Sequence, residues 1–229
     1  MRKKYKKQKN PIISVDGKKK EKIGNLYREG TLECREAVEV YDHDFPSLAE
    51  HDVHLYAVYD IKHNDAMFNI NTSFETSEFA CDSIKLWWDT VGKSRYPNAD
   101  SILVLADGGG SNSSRRHVFK SELQRISNLM GIEIRIAHYP PYTSKWNPIE
   151  HRLFPHVTRS LSGVVLTNVE LVRSLIKKTS TKAGLKVFAR VSRKVYEKGK
   201  EVAADFYETA SLKFDKCLGH LNYVVSPNK

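Results

Sequence analysis

Residues 101–112 read SILVLADGGGSN and residues 133–154 read EIRIAHYPPYTSKWNPIEHRLF. Ile102 to Ala106 is continuously apolar, as expected for a strand covered on both faces, and the run ends on Asp107 and three glycines. Ile134 and Ile136 alternate with Glu133 and Arg135, the pattern of a strand nearer a sheet edge. Between these strands Val118, Phe119, Leu123, Ile126, Leu129 and Met130 recur at helical spacing, and Gly131 closes the helix. Asn147, Pro148 and Glu150 then open a further helix as cap, first helical residue and first-turn acid.

Working outward, Ile12, Ile13 and Val15 form a short strand ending at Asp16. The basic GKKKEK that follows reads as a turn, and IGNLY as a returning strand. Leu55 to Ile61 and Ala66 to Asn71 flank Lys62-His63-Asn64-Asp65, a hairpin pattern. Thr76 or Ser77 can cap a helix in which Phe79, Ile84, Trp87, Trp88 and Val91 share a face up to Gly92, so both tryptophans are expected in the core. Beyond Glu150 the chain looks mainly helical: Thr167 and Glu170 fit a capping box before LVRSLIKK, and Leu185, Val187, Ala189 and Val191 then alternate like a strand.

This order predicts an α/β fold, a mixed ribonuclease H-like sheet flanked by helices with a mostly helical C-terminal extension. Residues 1–10 read as a basic disordered arm, 11–165 as the catalytic core and 166–229 as an extension packed on it.

The 229 residues are enough for a sizeable core, and the net charge of +10 makes a polyanion, nucleic acid first, the natural partner. No apolar run is long enough to span a bilayer, and MRKKYKKQKN lacks the apolar segment of a signal peptide, so a cytoplasmic, nucleoid-associated protein is expected. Cys34, Cys81 and Cys217 are far apart without paired spacing, which argues for free thiols. His43, His51, His54 and His63 lack a zinc-binding frame and read as surface residues.

Asp107 ends a strand, where side chains of an open sheet line a ligand crevice, although Asp-Gly is also a common turn pair. Helix capping alone explains Glu150, but not the rigid, basic PPYTSKW lead-in with Lys145 and Trp146 beside it. For a third acid the choice lies between Asp16 and Asp60, each at a strand end; Asp16 is favoured because its strand is central and neighbours that of Asp107, while Asp44 reads as a loop residue.

ISVDGKKKEKIGN, LADGGGSN and PPYTSKWNPIEHRLF together resemble the three catalytic blocks of DDE transposases of bacterial insertion sequences, in a branch similar to the mariner-type superfamily. The likeness runs from about Pro11 to Tyr223 and includes TSTKAGLKV and GHLNY; the 42 residues between Asp107 and Glu150 match this branch better than mariner-type relatives. The segment TLECREAVEVYDHDF is irregular for the family. The resemblance implies that Asp16, Asp107 and Glu150 are catalytic and bind two Mg²⁺ or Mn²⁺ ions, and that the protein is an oligomer on DNA. It implies cleavage at element ends followed by strand transfer. Lys145, Trp146, Asn147, Arg152, Asn112, Arg115 and Arg116 are the expected DNA contacts. Members of the family normally carry an N-terminal helix-turn-helix region with no counterpart in this sequence, which favours one rival, a truncated, non-catalytic DNA-binding remnant; a metal nuclease or resolvase of the same architecture is another.

Overall fold

The computed structural model describes residues 1–43, 45–140 and 142–228, so Asp44 lies outside the described residues. In chain order the elements are α1 (Arg2–Gln8), β1 (Ile12–Ile23), β2 (His51–Asp60), β3 (Asp65–Asn71), α2 (Ser77–Trp87), α3 (Lys93–Arg95), β4 (Ser101–Ala106), α4 (His117–Met130) and β5 (Glu133–His138). They continue with α5 (Pro148–Arg152), α6 (Phe154–Leu161), α7 (Val169–Lys178), β6 (Lys186–Val191), α8 (Phe206–Thr209), β7 (Leu212–Phe214) and β8 (Asn222–Val225). One mixed sheet in the order β6-β3-β2-β1-β4-β5-β8-β7 carries helices on both faces, the architecture expected from the sequence.

Alternation along β1 and β4 divides the core. Ile13, Val15, Val104 and Ala106 face α2 and α4, where Phe79, Ile84, Trp87, Trp88, Phe119 and Leu123 close over them. On the other face Leu55, Ala57, Phe68 and Ile70 meet Ile149, Leu153, Val157, Val172 and Ile176 from α5, α6 and α7. Thr76 caps α2 through its side chain, which accepts from the Phe79 N–H at 3.1 Å. The helix does not stop at Gly92; it passes through a π turn at Trp88–Gly92 and continues into α3.

Several expectations are corrected. Residues 2–8, read as a disordered arm, form α1, because Tyr5 is buried beside Ile12, Leu103 and Leu105 and its hydroxyl meets Ser101 Oγ at 2.7 Å. GKKKEK does not turn: β1 runs through it to Ile23, paired with β2, with an irregularity between Lys18 and Glu21. Strand geometry survives the charges because Glu21 bonds both Lys18 and Arg28 at 2.5 Å and Lys20 bonds Asp52 at 2.5 Å. β5 is not near an edge, since β8 and β7 extend the sheet beyond it. The C-terminal segment is therefore not mostly helical: it supplies β6 at one edge and β7 and β8 at the other. The cap of α7 is Asn168 rather than Thr167, its side chain accepting from the Leu171 N–H at 2.8 Å. Cys81 is buried, whereas Cys34 and Cys217 are exposed.

Candidate active site

Parallel pairing sets two of the three acids side by side. β1 and β4 are in register with Val15 opposite Ala106, so the next residues, Asp16 within β1 and Asp107 just past the end of β4, stand at the same level. By alternation both point away from the face of Val15 and Ala106, toward the side on which α5 lies.

Glu150 is brought there by a tertiary anchor. Asn147, the first residue of the turn into α5, makes no side-chain cap. Instead its side chain reaches into β1: Ser14 Oγ donates to Asn147 Oδ1, and Asn147 Nδ2 donates to the Val15 carbonyl at 3.4 Å. Ser14 Oγ also accepts the Ile149 N–H at 3.2 Å, and Ile149 is fully buried. With both flanks of the turn pinned to β1, Glu150 on the first turn of α5 lies next to Asp16.

The electrostatics reflect this crowding. Burial first, then repulsion from Asp107 and Glu150, pushes the Asp16 carboxyl up from its ordinary 3.8 to about 9, with a side-chain contact to Glu150 adding to the rise and the Gly17 N–H opposing it at 2.8 Å. Burial also raises Asp107, against the Gly109 N–H and the Asn112 side chain. The Asp-Gly turn and the site are thus compatible uses of Asp107, whose Oδ1 accepts that N–H at 3.4 Å. Among the described residues none of the three carboxylates has an ion-pair partner.

Asp60, the competitor of Asp16, is the last residue of β2, opposite Ile13; Asp16 is opposite Ala57, three positions away and by alternation on the other face of the sheet. It is fully buried and spoken for: Tyr96 Oη donates at 2.9 Å, Arg95 Nη1 lies at 3.3 Å, and the Lys62 and His63 N–H groups reach its Oδ1.

The expected DNA contacts divide. Asn112 and Asn147 are buried at 1% and 0% exposure, so they scaffold the site rather than face solvent. Asn112 Oδ1 accepts from Tyr56 Oη at 2.5 Å, and its carbonyl lies 2.8 Å from Nε2 of His138, an imidazole whose burial pushes its pKa down to about 4. Arg115 and Arg116 are exposed in the turn entering α4. Lys145 lies over the ring of Trp146 at 5.6 Å, and Trp146 is itself exposed. Arg152 is exposed and interacts with the Tyr59 hydroxyl.

Sequence reasoning missed a basic cleft of about 1120 Å³ that begins at Glu150 and Gly17 and runs along Lys18, Lys19, Lys20 and Lys22 to Arg28. Its signal in sequence is GKKKEK, a run that by itself reads as a turn. Glu75, whose carboxylate lies against Gly17, had no signal in sequence.

Three carboxylates without cationic partners form an oxygen-only donor set, which suits a hard divalent cation such as Mg²⁺ or Mn²⁺. Among the described residues no three His, Cys, Asp or Glu side chains are gathered into a ready coordination shell. The fit is therefore one of donor chemistry and location. No helix among the described residues is long and apolar enough to cross a membrane.

A family model described as Rhodopirellula transposase DDE domain matches residues 1–227. Among solved structures the chain is similar to the Mos1 transposase paired-end complex with left transposon end, with 12% identity and a TM-score of 0.50 over 75% of this chain and 48% of that one. It is also similar to the Mos1 mariner paired end complex with Mn, with 12% identity and a TM-score of 0.49 over 75% of this chain and 49% of that one. At such identity the likeness concerns the fold, and the chain spans about half the length of these proteins. No curated protein matches it.

Proposed function

Because the chain belongs to the family of Rhodopirellula transposase DDE domains, we propose that it cleaves DNA at the ends of a mobile element and joins those ends to target DNA. The observation that carries this reading is the meeting of Asp16 with Asp107 and Glu150, three acids from distant parts of the chain with no cation among the described residues to neutralise them. Asp16, Asp107 and Glu150 would hold two Mg²⁺ or Mn²⁺ ions. When bound, such ions activate an attacking hydroxyl and offset charge on the leaving oxygen.

The chain's own groups would do the rest. Asn147 and Ser14 fix the helix that carries Glu150, while Tyr56 and Asn112 brace the turn that carries Asp107. Lys19, exposed at the mouth of the cleft, would bind the phosphodiester backbone without reading sequence. Lys145, Trp146, Arg152, Arg115 and Arg116 offer further exposed contacts around the site. Both reactions would be in-line displacements at phosphorus with no covalent enzyme intermediate. Joining two ends calls for an oligomer assembled on DNA.

The test is a strand-transfer assay with oligonucleotide element ends and Mn²⁺. Joined products support the proposal. Cutting without joining would reassign the protein as a nuclease or resolvase, and binding alone as a non-catalytic DNA-binding remnant.

A further inference from the structure

We infer that Glu75, on the loop between β3 and α2, is a positioning residue that holds the Asp107 turn against β1 and adds carboxylate charge beside Asp16. This rests on the metal-site reading of Asp16, Asp107 and Glu150.

The first observation is steric. Gly17 directly follows Asp16, and a Cβ placed there would lie 2.6 Å from Glu75 Oε1, 2.9 Å from Cδ and 3.0 Å from Oε2. Those separations are too short for real contacts, so the Glu75 carboxylate occupies the space that any other residue at 17 would fill. The φ of Gly17 is not in the left-handed region, so its backbone does not demand glycine. Room for Glu75 is what the position supplies.

The second observation is on the other strand. Ser111 Oγ donates to Glu75 Oε1 at 2.9 Å, and Ser111 belongs to the short helical turn that follows Asp107. Ser77 Oγ, two residues beyond Glu75, donates to the Ser111 carbonyl at 2.9 Å and ties the same loop to the same turn. The left-handed Gly110, with φ of 55°, also turns toward Glu75: a Cβ there would be 3.8 Å from Oε1. Glu75 thus bridges the residue after the first acid and the turn after the second.

The third is charge. Among the described residues Glu75 has no ion-pair partner, although it is half-buried, and Tyr56 lies within the influence of Asp16, Glu75 and Asp107 alike. An unneutralised carboxylate held behind two ligands strengthens the local negative potential that favours a divalent cation, as outer-shell groups do at metal sites.

A plainer role is also available to Glu75, as an acid just outside the capped N-terminus of α2, where it would favour helix stability. The two roles separate in a direct Mn²⁺ titration of the folded protein, read by the electron paramagnetic resonance of free Mn²⁺. E75Q keeps the acceptor for Ser111 and drops the charge; E75A drops both; Gly17→Ala displaces the carboxylate. The expected result is Mn²⁺ binding weakened about tenfold in E75Q and more in E75A, within the 10–100-fold range of outer-shell losses, with Gly17→Ala shifted in the same direction. Wild-type Mn²⁺ affinity in both E75Q and E75A, with binding lost in Asp107→Asn, overturns the role of Glu75 and leaves the site reading standing. Unchanged affinity in Asp107→Asn as well would overturn the metal site itself, and the inference with it.

Discussion

The two faces of the β1–β2 pair both carry buried acids, and they treat them in opposite ways. On the Asp60 face, Asp60 and Asp65 share Arg95, with Nη2 2.7 Å from Asp65, while Tyr96 and two backbone N–H groups complete the shell of Asp60. On the Asp16 face, Asp107 and Glu150 stand beside Asp16, and among the described residues no cation joins them. A paired acid stabilises the fold in place; an unpaired cluster raises the energy of the charged protein until something positive arrives. The difference separates a structural carboxylate from one held ready for chemistry, although the two look alike in sequence.

The strongest way to break the comparison is to remove a charge from each group of acids in turn. Asp107→Asn should lower Mn²⁺-dependent DNA cleavage by at least about a hundredfold, since metal-centred stabilisation is worth several kcal/mol at about 1.4 kcal/mol per decade. A gel assay of end cleavage checks this, with circular dichroism expected to show an unchanged fold. Asp60→Asn should do the reverse: about 3 kcal/mol less stability in urea unfolding, because it leaves Arg95 short of a buried partner, with cleavage per folded molecule retained. If Asp60→Asn were the variant that kept its stability and lost cleavage, the two groups of acids would have been assigned the wrong way round.

Asn147→Ala sharpens the account of how Glu150 is placed. Loss of the buried contacts to Ser14 and Val15 should cost about 2 kcal/mol in the same unfolding experiment, with weakened Mn²⁺ binding, because α5 would no longer be pinned to β1.

The smallest effect is a slope. Asp16 in the native protein keeps its proton up to about pH 9, whereas in the unfolded chain it loses it near its ordinary 3.8. Between those values the native state binds more protons, so metal-free stability should fall as pH rises, by no more than about 1.4 kcal/mol per pH unit from this group. Denaturant midpoints from pH 5 to 9 measure it. Asp16→Asn should flatten the profile, and so should saturating Mn²⁺; a wild-type-like slope in Asp16→Asn would place the titration elsewhere.

Much of the fold is legible in the chain because local rules act alone there. The apolar run Ile102–Ala106, the helical spacing from Val118 to Met130 and the left-handed Gly131 need no distant partner to be read. GKKKEK misled because its lysines look like a solvated turn until Glu21 and Asp52 are known to pair with Lys18 and Lys20. Tyr5 misled in the same way, since only Ile12, Leu103 and Leu105 make it a core residue and order the helix around it.

The sequence by itself determined the inventory: which acids lie on or just past strands, which residue opens α5, and an excess of positive charge suited to a polyanion. Tertiary structure decided which acids are neighbours. The parallel register of β1 and β4 aligned Asp16 with Asp107, Ser14 and Asn147 moved Glu150 into reach, and Arg95 withdrew Asp60 by neutralising it. Proximity between residues far apart along a chain is fixed by strand pairing and buried hydrogen bonds, and neither is encoded in the spacing of the acids themselves.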